Sequence, residues 1–207
     1  MSKVLVVIDA QVDFINGVLG TKEAQEAMPY LVELIKEMKD KGYKLFATRD
    51  SHFNKGEQHL AYEDSLEGQK LPVPHCIVNT EGWHLHPDII NLLDKAIIVN
   101  KPTFGSYDLI RWLEAENTLS PITEIVIAGF CTDICVISNA LMIRAAFKDI
   151  PIFIKEKACA GVTPESHQKA IDVMNMCQID IIELLRKDKK IFLPFLFLRS
   201  LQLEKFF

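Results

Sequence analysis

The sequence predicts an α/β fold: a three-layer domain with a mostly parallel sheet of five or six strands and helices on both faces. Two observations carry that reading. Short β-branched or aromatic apolar runs alternate with longer stretches of helical period along the chain. The short runs are continuously apolar rather than alternating, as strands buried on both faces are. A third observation sets the size: 207 residues, 49% apolar and 25% charged, bury one substantial core, so one domain is expected.

Taken in order, Val4 to Ile8 is the first strand, ended by Asp9. Ala24 to Lys39 has helical spacing, with Ala27, Leu31, Leu34, Ile35 and Met38 on one side and Gly42 as its stop. Tyr43 to Ala47 and Ala96 to Val99 are the next strands. Tyr107 to Glu116 is a helix that places Ile110 and Leu113 together, and Ile125 to Ala128 is a strand. Thr132 to Phe147 is a helix carrying Val136, Ala140, Ile143 and Phe147, and Ile152 to Ile154 is a strand. Thr163-Pro164 opens a helix running to about Cys177, with proline in its first turn where no N–H is needed. Ile179 to Ile182 completes the sheet.

Two stretches depart from this rhythm. Residues 49 to 95 carry Gly56, Gly68, Pro72, Pro74, Gly82 and Pro87, together with five of the six histidines: His52, His59, His75, His84 and His86. An irregular segment this long is costly to order and is retained for a site more often than for packing. The second is the tail, where Ile191 to Leu198 reads IFLPFLFL after a basic stretch. The expected organisation is therefore one folded domain over residues 1–183 and a C-terminal apolar extension over 184–207, which packs on the domain or makes contacts in a homo-oligomer.

Composition excludes several function classes. Twenty-three basic against 28 acidic residues leave a net charge of −5, which offers no general attraction for nucleic acid or anionic membranes. The first residues show no secretory pattern and no apolar run long enough to span a bilayer, so a cytoplasmic location is expected. The cysteines, at 76, 131, 135, 159 and 177, are odd in number and lack zinc-knuckle spacing, so neither a disulfide framework nor a structural zinc finger is expected.

Ligands of open parallel sheets gather beyond the carboxyl ends of the strands. Asp9 follows the first strand, Asp50 and His52 the second, Lys101 the third, and Cys135 the fourth, just inside a helix. Singly, each has an ordinary reading as a turn cap, a loop hydrogen-bond partner, a solvated lysine or an inert buried thiol. Jointly they make a coherent chemistry. A thiol near a helix N-terminus and a cation is activated, a carboxylate takes and returns its proton, and turn amides face a developing oxyanion. That describes a cysteine hydrolase with no catalytic histidine. Asp50 and His52, one residue apart, can aim two ligands into one space, and His75 can close the set; loop hydrogen bonding remains the competing role for the histidines.

The segment Gly129-Phe130-Cys131-Thr132-Asp133-Ile134-Cys135-Val136 resembles the nucleophile motif of the isochorismatase-like cysteine hydrolases. The likeness extends over Asp9-Ala10-Gln11-Val12-Asp13-Phe14, Thr48-Arg49-Asp50-Ser51-His52, Leu71-Pro72-Val73-Pro74-His75-Cys76 and Lys101-Pro102-Thr103-Phe104-Gly105-Ser106-Tyr107, in the family's order. Within the family the chain is most similar to the nicotinamidase subgroup. The resemblance implies Cys135 as nucleophile, Asp9 as general base and then acid, Lys101 as their cation, a cis peptide between Phe130 and Cys131, and an oxyanion hole from the amides of Cys131 and Cys135. It implies Asp50, His52 and His75 as metal ligands, with Glu67 as the best match for a further one and Glu63 or Glu57 as substitutes. Zinc is the first choice of metal, with iron or manganese as alternatives. Phe14 and Tyr107 match positions flanking a planar ring, and Phe104 and Leu71 are further pocket candidates. The implied reaction is hydrolysis of nicotinamide to nicotinate and ammonia through a cysteine thioester. The alternatives are another small amide or carbamate as substrate, or a non-enzymatic interaction protein on the same fold.

Overall fold

Six strands, β1 (Ser2–Ile8), β2 (Lys44–Asp50), β3 (Ile97–Lys101), β4 (Ile122–Phe130), β5 (Ile152–Ala160) and β6 (Asp180–Ile182), form one sheet in the order β3-β2-β1-β4-β5-β6 among the described residues. Every neighbouring pair is parallel. The computed structural model describes residues 1–57 and 59–182. The extension expected over 184–207, and with it the packing or oligomer contact assigned to it, lies outside the described residues.

The centre of the sheet is β1, whose Val4 to Ile8 are fully buried, which is why this run carries no polar residue. Helices cover both faces: α1 (Val12–Ile15), α2 (Lys22–Asp40), α3 (Leu66–Lys70), α4 (Pro87–Ile90), α5 (Tyr107–Leu119), α6 (Ile137–Ala146) and α7 (Pro164–Met176). The Thr21 side chain caps α2 by accepting from the Ala24 N–H, and the apolar stripe read from the sequence is its buried face. Gly42 ends the connection with φ +76, a conformation that glycine adopts without steric cost. No helix among the described residues is long and apolar enough to cross a membrane.

The structure revises four local expectations. The helix expected from Thr132 begins as a π turn, Thr132–Val136, in which the Val136 N–H reaches back to Cys131 O at 3.0 Å; α6 starts only after it. In α5 the fully buried positions are Leu109 and Leu113, with Ile110 half-buried. The strand expected to end at Ile154 continues to Ala160, through Lys155-Glu156-Lys157, because a register shift carries Cys159 opposite Gly129. The 49–95 stretch holds short helices: a 3-10 turn at Tyr62–Asp64, then α3 and α4.

This topology positions the site. Strand order reverses at β1, with β2 on one side and β4 on the other, and the crevice beyond their carboxyl ends is where such sheets bind ligands. Gly129 lets β4 approach there: a Cβ at this position would stand 2.0 Å from Ile8 O. Ile8 immediately precedes Asp9, so this close approach brings Asp9 toward the turn that carries Cys135.

Candidate active site

Asp9, Lys101 and Cys135 converge at the end of the sheet, and all three are buried. Lys101 Nζ lies 2.7 Å from Asp9 Oδ2, 3.4 Å from Cys135 Sγ and 3.5 Å from Asp50 Oδ1, and donates to Thr103 O at 3.0 Å. Asp9 takes a left-handed backbone, φ 43, unusual for a non-glycine residue and typical of strained functional positions. Thr48 holds it there. Its hydroxyl donates to Asp9 Oδ1 at 2.6 Å and accepts the Asp9 N–H at 3.2 Å. The other oxygen, Oδ2, has its ammonium neighbour off the hydrogen-bonding direction and is left as a buried acceptor without a well-aligned donor. The peptide between Phe130 and Cys131 is cis.

Burial and charge set the protonation of this trio. Burial pushes the Cys135 thiol well above its ordinary range, against the pull of Lys101. Burial raises the Asp9 carboxyl too, again opposed by Lys101 and reinforced by Asp50. Burial alone would push Lys101 down, but Asp9, Cys135 and Asp50 outweigh it and hold the ammonium well above the usual lysine range. Burial thus favours the proton-bearing forms of the Cys135 thiol and the Asp9 carboxyl, while Lys101 between them keeps its charge.

A second group of titratable side chains stands beside the trio. One donor atom each from Asp50, His52, Glu67 and His75 can be chosen so that all lie within 4.8 Å of one another. His52 Nε2 is 3.0 Å from Asp50 Oδ2 and 3.7 Å from Glu67 Oε1, while His75 Nε2 is 3.5 Å and 3.6 Å from the same two atoms. His75 Nδ1 donates to Val73 O at 2.9 Å; a carbonyl can only accept, so Nδ1 carries a proton, and Nε2 is the atom turned toward the two carboxylates. Burial would raise Asp50, yet Lys101 and both imidazoles hold it well below the carboxylate range. Glu67 goes the other way, raised by burial and by Asp50. Two carboxylates and two imidazoles converging in a buried space form a donor set that a divalent cation satisfies. Glu63, by contrast, is exposed and pairs with Lys55.

A cavity of about 640 Å³ touches both groups, through Cys135 of the trio and Asp50, Glu67 and His75 of the donor cluster, with Asp9, Lys101 and His52 behind its wall; Phe14, Leu71 and Phe104 are among its apolar lining. Phe14 also packs edge-on against His75, at 5.5 Å between ring centroids. Tyr107 does not join them. Ser106 caps α5 by accepting from Leu109 N–H, which makes Tyr107 the first helical residue, off the buried stripe and 79% exposed.

Four further residues, none of them singled out in the sequence, hold the site together. The buried Gln11 amide clamps the Asp50 backbone from both sides, accepting its N–H at 2.7 Å and donating to its carbonyl at 2.9 Å, and also donates to Trp83 O at 2.9 Å. Asp13 accepts the Cys76 N–H at 2.7 Å, beside His75. Tyr62 packs edge-on against both His52 and His75, and its hydroxyl donates to Leu71 O at 2.6 Å. Asn139, one helical turn beyond Cys135, donates to Cys135 O at 2.8 Å and to Phe104 O at 2.9 Å. A buried polar residue inside the apolar α6 pattern was the one available hint, and it points to Asn139. Gln11→Ala is expected to lower metal affinity by about 10- to 100-fold and stability by about 2–4 kcal/mol, since it strips partners from buried backbone groups. Metal titration and thermal unfolding of the variant check both.

The family described as Isochorismatase domain matches residues 3–184. The chain belongs to the isochorismatase family. Among the relatives of this isochorismatase-family protein is a nicotinamidase of Schizosaccharomyces pombe, 28% identical over 209 residues, covering 86% of this chain and 91% of the relative. An uncharacterised isochorismatase family protein, PncA of Bacillus subtilis, is 30% identical over 181 residues, covering 83% of this chain and 93% of that one. A crystal structure of nicotinamidase/pyrazinamidase PncA from Bacillus subtilis superimposes with a TM-score of 0.72 at 27% identity, covering 88% of this chain and all of that chain. The likeness lies with the nicotinamidase subgroup of this hydrolase family.

Proposed function

We propose that this isochorismatase-family hydrolase is a nicotinamidase, converting nicotinamide to nicotinate and ammonia through a thioester on Cys135. The observation that carries the proposal is the shared cavity. One apolar-walled space large enough for a pyridine ring is lined both by the Cys135 thiol, with Lys101 3.4 Å from its sulfur, and by Asp50, Glu67 and His75 of the donor cluster.

Phe14, Leu71 and Phe104 hold the planar ring, with the carboxamide carbon toward Cys135 Sγ. Asp9 takes the thiol proton as sulfur bonds to that carbon, and Lys101, 3.4 Å from Sγ, stabilises the sulfur's developing negative charge. The amides of Cys131 and Cys135 receive the oxyanion. Asp9 then returns the proton to the leaving nitrogen, the C–N bond breaks, and ammonia departs. A water that gives its proton to Asp9 attacks the thioester; nicotinate forms and the thiol recovers its proton. Asp50, His52, His75 and Glu67 would hold a divalent ion, zinc as first choice with iron or manganese open to the same mixed donor set, and that ion would supply a Lewis-acidic anchor for the ring nitrogen.

Purified protein is expected to release ammonia from nicotinamide, to lose that activity by about tenfold or more on exhaustive chelation and to regain it with zinc. His52→Ala is expected to lower the bound metal per chain while leaving the Cys135 thiol in place, as metal analysis and thiol titration will show. Ammonia release from other small amides, with none from nicotinamide, would contradict the substrate assignment.

A further inference from the structure

His167 is the one histidine outside the 49–95 stretch, and the mechanism does not use it. It sits in the first turn of α7, whose start is fixed by a reciprocal cap between Thr163 and Ser166. Its Nδ1 lies 2.9 Å from the hydroxyl of Thr132, and its Nε2 lies 3.8 Å from Glu156 Oε1. Thr132 is fully buried and is the residue after Cys131, at the start of the π turn that carries Cys135. Neither Thr132 nor His167 lines the active-site cavity; His167 instead borders a separate one of about 440 Å³.

The seat of this histidine is built for a close approach. A Cβ on Gly161 would stand 2.9 Å from His167 Cβ, so the missing side chain at 161 is what admits the ring. One residue on, the Val162 N–H donates to both carboxylate oxygens of Asp133 at 3.1 Å. The β5–α7 connection and the first turn of α7 thus grip two consecutive residues of the nucleophile turn, Asp133 through a backbone amide and Thr132 through an imidazole.

We infer that His167 is a positioning residue for Cys135: through the Thr132 hydroxyl it fixes the 131–135 turn, and with it the placement of Sγ against Lys101 and of the turn amides against the carbonyl. The turnover part of this inference rests on the nicotinamidase reading. The placement of the thiol does not, and it can be read by alkylation alone. Misplacing a reacting group by about an ångström costs up to about 10²-fold in rate.

The test compares wild type with His167→Ala, His167→Asn, His167→Gln, Thr132→Val and Thr132→Ser as full-length, metal-loaded proteins of matched circular dichroism. Each is treated with iodoacetamide, and alkylation of Cys135 and Cys177 is followed by peptide mass spectrometry; kcat and KM for nicotinamide are measured in parallel. Exposed Cys177 is the internal reference and keeps its rate throughout. His167→Ala, His167→Gln and Thr132→Val are expected to slow Cys135 alkylation about tenfold and to lower kcat in step, with KM within about twofold. An asparagine amide reaches the Nδ1 position and a glutamine amide the Nε2 position, so His167→Asn and Thr132→Ser are expected to stay within about threefold of wild type. Wild-type alkylation of Cys135 in His167→Ala and Thr132→Val overturns the inference, as does failure of the Asn and Ser variants to rescue. The expected alkylation pattern in a protein that leaves nicotinamide intact upholds the positioning role and refutes the substrate reading.

Discussion

Replacing Cys135 by alanine is expected to lower ammonia release from nicotinamide by about four orders of magnitude or more, as loss of the nucleophile does in acyl-transfer enzymes. The fold is expected to survive. The substitution removes a single buried sulfur, the Asn139 bond to the residue 135 carbonyl is a backbone contact, and Lys101 keeps Asp9 at 2.7 Å and Asp50 at 3.5 Å as counter-ions. Stability should change by about 1 kcal/mol and bound metal not at all, because Cys135 is not one of the four donor residues. Turnover, unfolding and metal content measured on one preparation separate loss of chemistry from loss of structure. Full turnover in the variant would sink the mechanism.

Asp9→Asn is expected to combine a large kinetic effect with a structural one. Asparagine still accepts from the Thr48 hydroxyl but takes no proton from a thiol, so kcat should fall by about 10³- to 10⁴-fold, the upper end of what general acid–base catalysis supplies. Lys101 is fully buried and loses its nearest counter-ion, which costs about 3 kcal/mol of stability, the lower end of the range for breaking a buried pair because Asp50 remains. Denaturant unfolding and kcat on the same variant check the two effects. A variant that keeps wild-type turnover contradicts Asp9 as the proton carrier, and one as stable as wild type contradicts the ion pair as a structural contact.

The parts of the molecule that were legible in its sequence are those where one physical pattern dominates. Fully buried parallel strands must be apolar throughout, so Val4 to Ile8 or Ile125 to Ala128 can be read without reference to the rest of the chain. β5 was only half legible because its middle part, Lys155 to Lys157, is charged and lies within a register shift that no local pattern encodes. The candidate site residues could be found because strand ends are where such sheets place ligands, and Asp9, Asp50, Lys101 and Cys135 converge as that rule requires.

What stayed hidden depends on contacts between distant segments. Glu67 reaches the donor cluster because it lies on a five-residue helix, too short for periodicity to reveal; only the family likeness pointed to it. Gln11, Asp13 and Thr48 act by hydrogen bonds to residues 39 to 72 positions away, and such bonds leave no local mark. Tyr107 was misplaced for the converse reason. A motif position was read as a pocket position, whereas the Ser106 cap turns residue 107 outward.

The central claim is a thioester on Cys135 shared by every acyl substrate, and partition measures it most directly. Metal-loaded wild-type protein would turn over nicotinamide and, separately, methyl nicotinate in water containing hydroxylamine, with nicotinate and nicotinohydroxamate quantified. Passage through one acyl-enzyme predicts that both products form in a ratio set by the hydroxylamine concentration and identical for the two substrates, whatever group has left. Different ratios for amide and ester, or no turnover of nicotinamide by the metal-loaded protein, would contradict the account.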